Sequence, residues 1–286
     1  MYNVKVKRFA SDSVQIRFYS KPIIDPEIKF SEVTGEIYER KRSDGRIEVW
    51  NPFTEEWERV KDISDSKKRE HSFLSSRNRS KAVIYDIARA NTWEWFLTFT
   101  FSSEFSNRFD YHECSKKLTA WLNNVRKRGN PDMKYLVVPE QHKDGAWHFH
   151  GLFADVPAFQ FVDSGVRDAS GRIIYNVGRY KWGFTTATKV SDTGKACGYL
   201  VKYVTKELIE QTAGKKRYWA SRNCSRPEEF TFCIAGSLLE KLEGLGIDAD
   251  YIKKVFTPTG NQITYVELNH VEEPLIDLCD KSMFFS

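Results

Sequence analysis

Cysteine is scarce and unpatterned in this chain of 286 residues. Its five cysteines, at 114, 197, 224, 233 and 279, are odd in number and form no C-x-x-C pair. That excludes a disulfide framework and a zinc ribbon, and it fits a reducing cytoplasm. No apolar run approaches the ~20 residues a bilayer needs, so no membrane helix is expected. The start, Met1-Tyr2-Asn3-Val4-Lys5, lacks the apolar core of a signal peptide, and the protein is expected to stay in the compartment that made it. The phosphate-cradling pattern G-x-x-x-x-G-K-[ST] is also missing, which excludes a fused P-loop ATPase.

What is present is an ordinary globular composition, 41% hydrophobic and 29% charged. The net charge of +5 hides an asymmetry. From Pro227 to Ser286 there are 11 Asp and Glu against 4 Lys and Arg, a net of −7, so the remainder carries +12. A basic body with an acidic tail points to a polyanionic partner, nucleic acid first.

Residues 1–60 read as short strands, with Val4–Phe9, Val14–Tyr19 and Arg46–Trp50 as candidates and packing as their role. Residues 61–72 read as a polar linker. Ser76-Arg77-Asn78-Arg79-Ser80-Lys81 gives a basic start to a helix over 82–91, where Arg77, Arg79 and Lys81 are candidate phosphate contacts. Trp93–Phe101 reads as a central strand; Trp95, Leu97, Phe99 and Phe101 share one face, and Phe96, Thr98 and Thr100 the other. Tyr111–Arg128 is an amphipathic helix burying Leu118, Trp121, Leu122 and Val125. Residues 157–182 read as loop with a short strand at Arg172–Val177, followed by a strand at Phe184–Val190. A second basic cluster follows at Lys215, Lys216, Arg217, Arg222 and Arg226. The tail is expected to hold helices at Ser237–Leu245 and Asp248–Phe256 and a strand at Gln262–Leu268.

Two stretches carry chemistry. In Tyr199-Leu200-Val201-Lys202-Tyr203-Val204-Thr205-Lys206, residues 199, 202, 203 and 206 fall on one helical stripe. Cys197, Leu200, Val201, Val204 and Leu208 form the opposite, apolar stripe. The spacing predicts one helix from after Gly194 to about Gln211, presenting two phenols and two ammoniums. A lysine three residues after each tyrosine is placed to favour the phenolate, whose ordinary pKa is ~10. In His148-Phe149-His150, the two imidazoles share one face of a strand and can grip a divalent ion. Lys134–Gln141 and Ala146–Phe153 form a hairpin. A three-residue loop with Gly145 left-handed sets Glu140 opposite His148 and Val138 opposite His150, adding a carboxylate to the imidazole pair. His71, His112 and His270 have no such company; His142, beside the turn, is the one spare candidate.

The order FLTFTF (96–101), WHFHGLF (147–153), YLVKYVTK (199–206) resembles the three motifs of rolling-circle replication initiators of the HUH endonuclease superfamily. The doubled Y-x-x-K is similar to the two-tyrosine initiators of small single-stranded DNA phages. The resemblance covers 93–207, less than half of the chain. It implies an α+β fold, a ferredoxin- or RRM-like palm with a central antiparallel sheet and flanking helices. The catalytic domain would span 73–212, between an N-terminal β-rich extension with linker (1–72) and a C-terminal α/β extension with acidic tail (213–286). It implies His148, His150 and Glu140 as ligands of Mg²⁺ or Mn²⁺. Tyr203 with Lys206 is the first nucleophile pair, and Tyr199 with Lys202 its partner. The implied substrate is single-stranded origin DNA of a phage or plasmid in a bacterial cytoplasm. Helicase and polymerase would come separately from the host, and no membrane is involved. Arg77, Arg79, Lys81, Thr98, Thr100, Lys215, Lys216 and Arg217 are expected to contact DNA.

Within the same chemistry stand a transposase and a mobilisation relaxase. From other classes stand a non-catalytic DNA-binding regulator with a structural His/Glu site and, lower, a two-His-one-carboxylate iron oxygenase, which leaves the tyrosine–lysine stripe unexplained.

Overall fold

The computed structural model describes residues 2–9, 13–23, 39–41, 47–51, 56–59, 65–234, 236–244, 248–256 and 261–269. His270, Cys279 and the end of the acidic tail lie outside them. The fold is α+β and divides into two compact units, one drawn from 1–8, 12–70 and 228–286, the other from 9–11 and 71–227.

In the first unit, β1 (Tyr2–Phe9) and β2 (Ser13–Ile23) share a five-stranded sheet with β13 (Glu228–Phe232), β14 (Tyr251–Phe256) and β15 (Gln262–Leu268), in the order β13-β1-β2-β15-β14. The two flanks expected to be separate extensions thus supply strands to one sheet. Val4, Val6, Val14, Ile16, Val266 and Leu268 pack its core, joined by Leu242 of a short helix, Leu238–Gly244. A second, three-stranded sheet of β3 (Glu39–Lys41), β4 (Ile47–Asn51) and β5 (Glu56–Arg59) belongs to the same unit. The expected helix at 248–256 is instead β14: Tyr-Ile-Lys-Lys-Val-Phe is β-branched and aromatic at four of six positions, and its backbone pairs with β15 throughout.

The second unit is built on a seven-stranded antiparallel sheet. Its strands are β6 (Trp95–Phe101), β7 (Lys134–Gln141), β8 (Trp147–Ala154), β9 (Phe161–Arg167), β10 (Ile173–Val177), β11 (Gly183–Lys189) and β12 (Trp219–Ala220). They lie in the order β12-β7-β8-β6-β11-β10-β9. Strand alternation sorts the sheet's side chains into two layers. Leu97, Phe99, Phe101, Trp147, Phe149 and Phe153 face α2 (Tyr111–Lys127), which buries Leu118, Trp121 and Leu122 against them. On the other face, Leu136, Val138 and Leu152 meet Ile84 and Ile87 of α1 (Asp65–Arg89) and Cys197 and Leu200 of α3 (Thr193–Lys202). Asp110 caps α2, accepting from the backbone N–H of His112 and Glu113.

Three expectations give way here. The linker at 61–72 runs into helix, since α1 begins at Asp65 and contains Arg77, Arg79 and Lys81. The loop at 157–182 contains a hairpin of β9 and β10, a mostly polar, solvent-facing pair at the sheet's edge that carries little apolar alternation. The tyrosine helix is not continuous. It ends at Lys202; Tyr203 and Val204 close short turns onto Leu200 and Val201, and Thr205 is extended, its hydroxyl accepting from Leu208 N–H to cap α4 (Lys206–Gln211). Thr205 is a better N-cap than a helix interior residue, and β-branched Val204 beside it gives the helix little to lose.

Candidate active site

The β7–β8 hairpin has the register expected of a three-residue loop. Glu140 pairs with His148 and Val138 with His150, and Gly145 adopts φ +87°. Gly151 lets the strands close: a Cβ there would lie 2.7 Å from Val137 Cγ2 and 2.9 Å from the Phe153 ring. His148 and His150 therefore emerge on the α3 face, with Phe149 in the opposite core.

β6 lies on the other side of β8 and pairs Thr98 with His150 and Thr100 with His148. The Thr98 hydroxyl lies 3.0 Å from His150 Nδ1, and the Thr100 hydroxyl 3.3 Å from His148 Nδ1. These two threonines, expected to meet DNA, orient the rings and turn both Nε2 atoms away from β6. His150 Nε2 is 2.7 Å from Glu140 Oε2, so the carboxylate opposite His148 bonds diagonally to His150. That hydrogen bond holds the Glu140 carboxyl below its usual range, with the His150, His148 and His142 charges adding to it. Burial lowers the His148 pKa, and the neighbouring His150 and His142 lower it further. The exposed His142 ring stands 5.3 Å from that of His148, and its Nδ1 lies 3.2 Å from Asp144 Oδ1.

Tyr203 stacks on His150, ring centroids 3.8 Å apart and planes 4° from parallel. Tyr199 meets Tyr203 edge-on at 5.4 Å and Phe96 at 5.3 Å, and Phe96 lies 6.2 Å from His150. The break after Lys202 sets Tyr203 down on the imidazole while Tyr199, 48% exposed, stays at the surface. The expected assistance from lysine takes a different form. Burial pushes the Tyr203 phenol above its ordinary range, and a hydrogen bond with Tyr199 and the Tyr199 and Glu140 charges push it further. Lys206, moved into α4, has its ammonium 4.0 Å from Glu210, and Lys202 lies over the Tyr199 ring at 5.7 Å.

Among the described residues no group of three or more His, Cys, Asp or Glu side chains stands in metal-holding geometry. The closed His150–Glu140 hydrogen bond takes up two of the atoms a ligand set would use. The donors fit in kind, two imidazoles fixed through Nδ1 and one carboxylate held ionised.

Beside the cluster runs a groove of about 780 Å³, lined by Phe96, Tyr199, Arg172, Lys189, Lys195 and Lys202 among others. Sequence reading missed Arg172, Lys189 and Lys195, which come from separate elements and form no run. Of the other expected contacts, Arg77, Arg79 and Lys81 lie along α1, with Arg79 exposed, and Lys215, Lys216 and Arg217 precede β12.

Paired imidazoles and a carboxylate under a stacked tyrosine, next to a basic and aromatic groove, define a site suited to a polyanion. Residues 94–208 match the ORF2 family of replication-associated proteins, a match covering less than half of the chain. The matched span runs from the start of β6 into α4, so it contains every residue of the cluster. No curated protein and no solved structure matches the chain. The similarity supports a replication-associated protein. Among the described residues no helix is long and apolar enough to cross a membrane.

Proposed function

We propose that the protein is a metal-dependent endonuclease and strand transferase that nicks and rejoins single-stranded origin DNA through a covalent 5′-phosphotyrosine, starting rolling-circle replication of a phage or plasmid. The observation that carries this reading is the stack of Tyr203 on His150, which joins a candidate nucleophile to a candidate metal ligand inside the replication-associated span.

His148, His150 and Glu140 would hold Mg²⁺ or Mn²⁺; two nitrogen donors favour the transition ion, Mn²⁺, over oxygen-seeking Mg²⁺. When bound, the ion would act as a Lewis acid on the scissile phosphate. In the proposed step a tyrosine oxygen forms a bond to phosphorus as the bond to the 3′-oxygen breaks. The phenol gives up a proton, and the departing oxygen takes one up as a 3′-hydroxyl. Tyr203 needs an exit for its proton, because burial holds the phenol protonated. Its hydrogen bond to the exposed Tyr199 supplies a path to water. The linkage keeps the bond energy, so the same site can rejoin strands. Helicase and polymerase would be host proteins.

Labelled single-stranded origin DNA with Mn²⁺ should yield a protein–DNA adduct that Tyr199→Phe/Tyr203→Phe does not form. Persistence of the adduct in that double variant would sink the mechanism. Mass spectrometry of the linked peptide identifies which tyrosine attacks. One observation favours a non-catalytic DNA-binding regulator instead: Glu140 is already closed on His150. That reading requires binding to duplex DNA without cleavage under any divalent ion.

A further inference from the structure

A second basic cleft, of about 560 Å³, opens at the β12 edge of the sheet. Lys215, Lys216, Arg217, Arg222 and Arg226 line it, with Ser80 of α1 opposite. Among the described residues none of these five cations has a carboxylate within ion-pair distance. Five like charges gathered without counter-charge repel one another, which is tolerable only if an anion is taken up.

The cleft is held in shape before any ligand arrives. The Tyr111 hydroxyl donates to the Lys216 carbonyl, and Trp219 Nε1 donates to the Thr119 hydroxyl at 3.0 Å. The backbone N–H of Ser221 donates to the Tyr135 carbonyl at 3.0 Å. Arg217 donates to the Ser76 hydroxyl at 2.6 Å, while its buried Nε has no hydrogen-bond partner.

Its position gives it meaning. Ile87, Tyr218, Ala220 and Cys224 line the cleft and pack in the same apolar layer as Leu200 and Val204. The cleft therefore opens on the face of the sheet that carries His148, His150 and Tyr203. The aromatic groove lies on the β11 side of that cluster and the cleft on the β12 side. Between β12 and β11 stand β7, β8 and β6, so the two are roughly 19 Å apart at four strand spacings. Residues 215–226 follow the span matched by the replication-associated family.

We infer that this cleft binds the phosphodiester backbone of the same DNA strand on the far side of the reacting phosphate from the aromatic groove. The strand then crosses the sheet from one basic track to the other, over the imidazole pair. The groove adds stacking on Phe96 and Tyr199; the cleft, with five cations, holds backbone charge. The inference rests on the nuclease reading for what lies between the two tracks.

The test uses the full chain in the absence of divalent ion, so that binding does not depend on cleavage. A single-stranded oligonucleotide of about 16 nucleotides, the upper span of one single-strand site, is titrated at several salt concentrations. Lys215→Gln/Arg222→Gln/Arg226→Gln replaces exposed residues only. It should flatten the slope of log K against log salt by roughly 2, at about 0.7 for each phosphate that is no longer neutralised. Photo-crosslinking from bromodeoxyuridine at the 5′ or the 3′ end should place one end on peptides from 215–226 and the other on peptides from 189–199. An unchanged slope, or no crosslink to 215–226, overturns the inference. Adduct formation with Mn²⁺ is measured on the same preparation. An adduct with an unchanged slope rejects the cleft and spares the nuclease reading; a flattened slope without any adduct does the reverse.

Discussion

At the scale of single residues, the two threonines of β6 distinguish a designed ligand face from a chance pair of histidines. Each contacts an Nδ1 atom and so fixes which nitrogen points outward. Thr98→Val/Thr100→Val keeps the side-chain shape and removes both partners. Isothermal titration should show Mn²⁺ affinity falling roughly 10- to 100-fold, the usual effect of losing such support, with unfolding temperature little changed. Unaltered affinity would mean the rings are oriented by packing alone. The imidazole pair, Glu140 and the tyrosines were legible in the sequence because strand period and loop length fix which side chains share a face. The partner of a threonine was not, because it depends on which strand lies beside β8. The failure of lysine assistance was equally hidden: i+3 spacing places an ammonium near a phenol only while the helix lasts, and here it stops at Lys202.

At the scale of elements, α3 carries Tyr199 and depends on its first turn. Asp192 caps it, its carboxylate accepting from Lys195 N–H at 2.9 Å and lying 3.3 Å from the Lys195 ammonium. The backbone hydrogen bond holds this carboxyl below its usual range. A depressed folded-state pKa means the contribution is fully present above the ordinary aspartate value near ~3.9 and is lost as pH falls through the folded value. Asp192→Asn, which caps comparably without ionising, should keep the helix and weaken this acid dependence. Asp192→Ala should lose the cap at every pH. Thermal unfolding between pH 2 and 6 separates the three proteins. In the hairpin, Gly151→Ala would force its Cβ against Val137, Phe153 and the Leu136 carbonyl, the last of which is backbone and cannot rotate away. A loss of about 1–3 kcal/mol in denaturant unfolding is expected; a neutral result would show that the strands separate freely. The contrast between β8 and β14 shows where sequence reading runs out. β8 has a clean alternation of buried rings and ligands, whereas Tyr251–Phe256 places apolar residues at spacings that suit helix and strand alike, and pairing with β15 decides.

At the scale of the whole molecule, the termini meet in one sheet. β13 pairs with β1 from Val4↔Phe232 to Arg8↔Glu228, and β15 pairs with β2 from Ile263↔Tyr19 to Leu268↔Val14. No local pattern in the sequence announces pairings separated by more than 200 residues, which is why the two flanks read as independent extensions. The consequence is an asymmetry between truncations. A chain ending at residue 227 keeps β1 and β2 but loses the strands on both sides of them, leaving open edges and an uncovered apolar face. It should aggregate, or show those strands unprotected in hydrogen exchange. A fragment spanning 71–227 removes both halves of that sheet together and keeps the seven-stranded sheet with α2, α3 and the imidazole–tyrosine cluster. It should remain folded by circular dichroism and form the Mn²⁺-dependent adduct, if less efficiently. If the chain ending at 227 is the better behaved of the two, the N-terminal strands are stable without their C-terminal partners and the shared sheet does not hold the flanks together.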